Sequence, residues 1–133
     1  MAGGFGSFVA DGNITPSRFV KPSTASNKVV IAGAGDATVG IAQEGTRNTP
    51  YASLDDGYAA IAGENVRVYI DNEVCYLESG AAITFGALLK SDSVGRGTPV
   101  TANNDFYGAQ ALQAAAGAGE LIKAKVIRGY YGA

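Results

Sequence analysis

The sequence predicts an all-β protein, a compact β-barrel or sandwich built from two similar β units with a pseudo-twofold internal repeat and an extended N-terminal arm. Three observations predict it. First, a set of residues recurs: Ile14, Thr15, Phe19-Val20-Lys21, Val30, Ala32, Asp36, Gly40, Gly63-Glu64 and Val66 are echoed by Ile83, Thr84, Leu88-Leu89-Lys90, Val100, Ala102, Asp105, Gly108, Gly119-Glu120 and Ile122. Two copies are too few for a solenoid, so they must close one core together. Second, 19 glycines and abundant alanine, with 7 tyrosines and 5 phenylalanines for bulk, suit strands, tight turns and close backbone approach. Third, short runs of β-branched residues alternate with Gly, Pro, Asp, Asn and Ser clusters.

At 133 residues the chain can bury roughly two-thirds of its unfolded surface, enough for one core without staples. One domain at 14–133 is therefore expected, with repeat copies at about 14–70 and 83–127 and an arm at 1–13. The arm has Gly3, Gly4, Gly6 and Gly12 for freedom and Phe5, Phe8 and Val9 to bury. Fixing a residue costs about 1–2 kcal/mol of backbone entropy. Burying a phenylalanine returns about 1.5–3 kcal/mol. An ordered arm therefore needs backbone hydrogen bonds too, either within its own domain or to a neighbouring chain.

Strands are expected at Lys28 to Ile31, Thr38 to Gln43, Leu88 to Ser91, Thr98 to Thr101 and Leu121 to Arg128. Ala109 to Ala116 has helical propensity, but its repeat partner Gly40-Ile41-Ala42 reads as strand, and strand is assigned to both. The offset between copies falls from about 69 to about 56, which leaves a long loop at 43–62 in the first copy. A loop of this length is expected to be functional or to contain a short helix, with Thr49 as its cap, Pro50 at its first position and Tyr51, Leu54 and Tyr58 as the apolar side of one turn or two.

Val66, Val68 and Ile70 alternate with Arg67 and Tyr69 before Asp71-Asn72, and Val74-Cys75-Tyr76-Leu77 returns. This predicts a hairpin, with Tyr69 opposite Val74, Val68 opposite Cys75, Arg67 opposite Tyr76 and Val66 opposite Leu77. Val66, Val68, Cys75 and Leu77 form the inner face, which makes Cys75 a small buried hydrophobe. Arg67, Tyr69, Val74 and Tyr76 form the other, with the composition of an interface centre or of a face covered by a second layer of the same protein.

Catalytic equipment is sparse, and no enzyme is expected. The chain has no histidine, the usual general base, and a lone cysteine, Cys75, which permits no intramolecular disulfide. Val29 to Gly35 resembles the entry to a nucleotide-binding turn, but the third glycine position is Thr38 and no helix follows. Gly33 and Gly35 are read instead as a tight turn with Asp36 bonding local backbone N–H groups. Asp55-Asp56 and the Asp71, Glu73 pair are read as solvated turn carboxylates, not metal ligands. A net charge of −2 from 10 basic and 12 acidic residues, with no block of one sign, indicates neither nucleic acid nor membrane as partner. No cofactor is expected. Neither a secretory leader nor an apolar span is legible, and synthesis in the cytoplasm is expected.

The string Gly80-Ala81-Ala82-Ile83-Thr84-Phe85-Gly86-Ala87-Leu88-Leu89-Lys90-Ser91-Asp92, followed by Gly95-Arg96-Gly97-Thr98-Pro99-Val100, resembles the small capsid decoration, or cement, proteins of tailed bacteriophages. The likeness continues through Gly108 to Leu112 and Ala118 to Ile122, and earlier through Val39 to Ala42 and Gly63 to Val66. It spans roughly Ile14 to Ile127, in turn-and-strand patterns. The resemblance implies a structural virion protein on the capsid surface that binds the major capsid protein and reinforces a mature icosahedral head. It also implies neighbouring copies as partners, as trimers or at capsomer contacts. The alternative is a small β-barrel ligand-binding or interaction module, a subunit of a larger complex.

Contacts with partners are expected at Phe5 and Phe8 in the arm, at Arg67, Tyr69 and Tyr76, at Tyr51 and Tyr58 in the long loop, and at Tyr130 and Tyr131 near the other end. Deleting Met1 to Gly12 is expected to weaken capsid attachment without unfolding the domain.

Overall fold

The computed structural model describes residues 5–24, 28–45, 62–102 and 105–131. The fold is all-β: among the described residues ten strands form a closed barrel and a second five-stranded sheet, with no helix. The first half holds β1 (Phe5–Ala10), β2 (Arg18–Pro22), β3 (Lys28–Ile31), β4 (Gly40–Gly45) and β5 (Asn65–Tyr69). The second holds β6 (Val74–Glu78), β7 (Leu88–Ser91), β8 (Gly97–Pro99), β9 (Phe106–Ala111) and β10 (Leu121–Tyr130). Residues 46–61, which include Tyr51, Leu54 and Tyr58, lie outside the described residues.

The barrel runs β1-β3-β2-β4-β5 and closes where β5 pairs with β1; the second sheet runs β6-β10-β9-β7-β8. The two pairing schemes correspond strand for strand. Antiparallel pairs β1–β5, β2–β3, β2–β4 and β4–β5 match β6–β10, β7–β8, β7–β9 and β9–β10. The parallel β1–β3 pair, Ala10 with Val29, is matched by an isolated parallel bridge between Ser79 and Gly97. Loop bonds follow suit: Gly63 N–H donates to Ala10 O at 2.8 Å and Gly119 N–H to Ser79 O at 2.8 Å. Before β2 and β7, Ser17 N–H donates to Ala42 O and Gly86 N–H to Ala111 O. Ser17 and Gly86 both take positive φ there, 62° and 86°.

Ladder register also shows which residues hold matching positions in the two pairing schemes. Val30 opposite Lys21 corresponds to Thr98 opposite Lys90, so Val100, matched to Val30 in the sequence, lies beyond that slot. Gly40 opposite Val20 corresponds to Ala109 opposite Leu89, so its place is taken by the residue after Gly108. Short spacer differences in the loops displace the sequence match.

The expected hairpin is corrected. Asp71 and Asn72 do form a turn, with Glu73 N–H donating to Ile70 O and Asn72 at φ 71°, but the strands beside it do not pair with each other. Of the strands it joins, β5 lies between β4 and β1, whereas β6 lies on β10. Tyr69 therefore faces Phe5 and Ile41, and Val74 faces Lys125. The turn carries the chain from one sheet to the other. Asn72 N–H donates to Val126 O and Val126 N–H to Glu73 O, so β10 holds the turn and takes Glu73 O, the acceptor that a hairpin would have offered to Ile70 N–H.

Alternation nevertheless sorts the faces: Val66, Val68, Cys75 and Leu77 are all buried. They enter two different cores, where one shared core was expected of the two copies. Ala10, Ile14, Val20, Val29, Ala42, Val66 and Val68 fill the barrel, flanked by Phe8, Ile31, Val39 and Ile70. The second core is formed by Cys75, Leu77, Ile83, Leu89, Ala109, Ala111, Ile122, Ala124 and Val126 together with Phe19, Ala32 and Ile41, which belong to the first half. Phe19 and Ile41 sit opposite each other on the ladder, and their equivalents in the second half are Leu88 and Gln110. The first half is thus apolar on both faces of this ladder. It covers the second half.

The segment read as an arm contains β1, a strand of the barrel. Of the two places open to it in the sequence, the structure shows the one within its own fold, where β5 and β3 supply its backbone hydrogen bonds.

Candidate interaction site

The residues singled out as partner contacts do not form one surface. Tyr69 is partly buried and packs against the second core, and Arg67 is half-buried on β5. Tyr76 lies on β6, in the other sheet, and is exposed. Layer-on-layer packing claims Tyr69 and leaves Tyr76 to solvent. Phe8 flanks the barrel core, Phe5 is placed by its backbone pairing with Tyr69, and Tyr51 and Tyr58 lie outside the described residues.

Tyr130 is exposed but meets Phe106 edge-to-face, with ring centroids 5.6 Å apart and planes at 76°, across the β9–β10 ladder. Tyr131 follows it half-buried, its N–H donating to Asp105 O at 2.7 Å. The tyrosine-rich end is therefore anchored to β9.

The face around Tyr76 is built by β6 and β10. Ladder pairs Val74–Lys125, Tyr76–Lys123 and Glu78–Leu121 point outward, while Cys75, Leu77, Ile122 and Ala124 point into the core. Val74, Tyr76 and Leu121 are 49, 47 and 60% exposed, an apolar strip flanked by two ammonium groups. Sequence reasoning found Val74 and Tyr76 but missed Leu121, Lys123 and Lys125. Period-two alternation in Leu121-Ile122-Lys123-Ala124-Lys125-Val126 does put those three on one face; what it lacks is any sign that β10 is the strand beside β6.

The free edge of β6 is held without a strand. Gln43 extends its side chain from β4 to Tyr76, its Nε2 donating to Tyr76 O at 2.7 Å and its Oε1 accepting from Tyr76 N–H at 3.3 Å. That amide mimics one step of a β ladder and fixes Tyr76 against the first half. Two residues on, Glu78 N–H donates to Ser17 O at 2.9 Å, and Arg18 Nη2 meets Glu78 Oε1 at 3.1 Å. Arg18 Nη1 also donates to Val94 O at 2.9 Å, so a single guanidinium ties β2 to two segments of the second half.

A concavity of about 600 Å³ opens between the halves and is lined by Ala37, Thr38, Asp71, Asn72, Phe106 and the 127–129 segment. Asp71 and Arg128 form a two-point ion pair at 2.8 and 2.9 Å along it. The Asp71 carboxylate raises the Arg128 pKa above its ordinary value. Thr38 Oγ1 is buried there with no hydrogen-bond partner among the described residues.

Other polar groups among the described residues tie loops together. Asp36 accepts from Lys21 and from Gly33 N–H, which lower its carboxyl pKa in that order of importance, and the Gly33 to Asp36 turn is the local loop expected from its glycines. Burial, with the Glu73 charge adding to it, pushes the Cys75 thiol up to about 12, which leaves it a packed apolar group and no nucleophile at neutral pH. Among the described residues no group of acidic and cysteine side chains is arranged to hold a metal ion.

Comparison with models of protein families finds no match, and comparison with curated proteins finds none either. The fold is that of a solved structure, the head fiber gp8.5 N base of bacteriophage phi29, with a TM-score of 0.64 over 98% of this chain and 99% of that chain at 14% identity.

Proposed function

We propose that this chain is a structural, non-catalytic protein of a tailed-phage head, built from a duplicated β unit, which decorates the outside of the mature capsid by binding the major capsid protein. The observation that carries the reading is the end-to-end agreement in fold with a head fiber base. The sequence resemblance to capsid decoration proteins supports the same destination from separate grounds. Its mechanism is linkage: a protein that binds the assembled shell and not free subunits stabilises the shell by an amount that grows with the logarithm of its concentration over its dissociation constant. Many copies, some touching one another, would spread that effect over the head.

Co-sedimentation with mature heads of the encoding phage, stripped of this protein, tests the reading. The protein should pellet with heads, stay in the supernatant with isolated capsid subunits, and make the heads more resistant to heat. Indifference to heads, with saturable uptake of a small molecule in the groove beside Asp71 and Arg128, would favour a ligand-binding module instead.

A further inference from the structure

We propose that the outer face of β6 and β10, centred on Tyr76 and Leu121, is the docking surface for an acidic, partly apolar protein surface on the phage head. The inference rests on the head-protein reading and adds to it the face and the partner's chemistry.

The strip of Val74, Tyr76 and Leu121 is apolar and open to solvent, with Lys125 opposite Val74 and Lys123 opposite Tyr76. Neither ammonium has a carboxylate partner among the described residues. Glu78, the carboxylate opposite Leu121, is taken by Arg18. The face is thus locally cationic on a chain whose net charge is −2. A protein surface carrying carboxylates around an apolar recess complements it. A long polyanion would meet repulsion from the rest of the molecule.

The first half supplies an internal control. Its equivalent ladder, β1 with β5, pairs Ser7 with Arg67 and Val9 with Asn65 where β6 and β10 pair Tyr76 with Lys123 and Glu78 with Leu121. The same backbone pairing is therefore built with serine and asparagine in the slots of Tyr76 and Leu121. Neither the aromatic ring nor the leucine is needed to make the ladder, and a solvent-facing apolar group that the fold does not need is available for a partner. The basic group is kept in both halves, as Arg67 and Lys123. Rigidity adds to the case. Both backbone groups of Tyr76 are clamped by Gln43, so docking would cost little ordering of the strand that presents the ring.

The test uses full-length protein and stripped heads. The double variant Tyr76→Ser with Leu121→Asn copies the residues of the first half and should melt within a few degrees of wild type, while its affinity for heads falls at least about tenfold. Lys123→Glu with Lys125→Glu should also lose about tenfold and should flatten the dependence of binding on salt. Wild-type affinity and salt dependence in both folded variants would overturn the docking face while leaving head attachment standing. Failure of the wild type itself to bind heads, whether or not it binds nucleic acid, would overturn the head-protein reading and the docking face together.

Discussion

Lys21 Nζ donates to Asp36 Oδ2 at 2.7 Å, and Lys90 Nζ donates to Asp105 Oδ2 at 2.9 Å in the matching position of the second half. In each half a lysine on the strand after the positive-φ turn reaches the segment that leads into β4 or β9, and so fixes the path of a loop carrying little apolar side chain. Asp36 does more than Asp105, because it also accepts Gly33 N–H at 2.8 Å.

Asp36→Asn should therefore cost about 1 kcal/mol in chemical denaturation, and Asp105→Asn less, since all four side chains keep about a third of their surface in water, which screens the ion pairs. The Asp36 carboxyl titrates below its ordinary 3.8 in the folded protein. Its contribution is present above that value and is lost as pH falls through the lowered folded pKa. The wild type should thus lose stability on acidification more steeply than Asp36→Asn. Parallel pH profiles of the two would oppose the assignment.

Gly40 is required for close approach. A Cβ there would overlap the Tyr69 carbonyl oxygen and lie 2.8 Å from Val68 Cγ1, so the β4–β5 ladder would have to part. Gly40→Ala should cost about 3 kcal/mol or more. Gly117→Ala, with nothing within 4 Å, should stay within about 0.5 kcal/mol of wild type. Thermal melts of the two variants measure the contrast.

Most strands of this fold were legible because they are β-rich and bounded by turn residues, and Lys28–Ile31 and Leu88–Ser91 fall where expected, whereas β1 was read as an arm and β2 was not among the expected strands. Pairing was less legible. Asp71-Asn72 carries a hairpin's turn chemistry, yet Val126 competes for its backbone groups and draws β6 to β10. That competition is between distant segments, which a local pattern does not register. The same gap scattered the interface residues: Tyr69 and Tyr76 share a face only if β5 and β6 pair. Likewise, Leu121 and Lys123 become neighbours of Tyr76 only through the β6–β10 ladder.

Cys75 should behave as a core residue. A thiol-specific aromatic disulfide at pH 8 should leave it unmodified in the native protein and react fully once denaturant exposes it. Because the folded thiol is raised from 9.0 to about 12, its contribution is complete below the unfolded value and is lost as pH rises through that interval. Cys75→Ala should therefore lose less stability than wild type between pH 9 and 12, whatever it costs at neutral pH. Rapid native-state labelling at pH 8 would contradict the burial.

Deletion of Met1 to Gly12 distinguishes an arm from a strand. An arm would be removed at little structural cost, leaving only attachment weakened. The β1 strand, however, pairs Phe5–Val9 with β5 and Val9–Ala10 with β3, and Ala10 exchanges hydrogen bonds with the 63–64 turn. Its loss would strip Phe8 and Ala10 from the barrel core and leave β3 and β5 with open edges, which invite aggregation. The truncated chain should lose more than about 3 kcal/mol from buried apolar surface and ladder bonds together. Hydrogen exchange reads the outcome locally. Amides of Val66 and Val68 should lose protection first, whereas those of Ile122 and Ala124, in the other sheet, should keep more of theirs. Wild-type protection at Val66 and Val68 in the truncated protein would show that the barrel closes without β1.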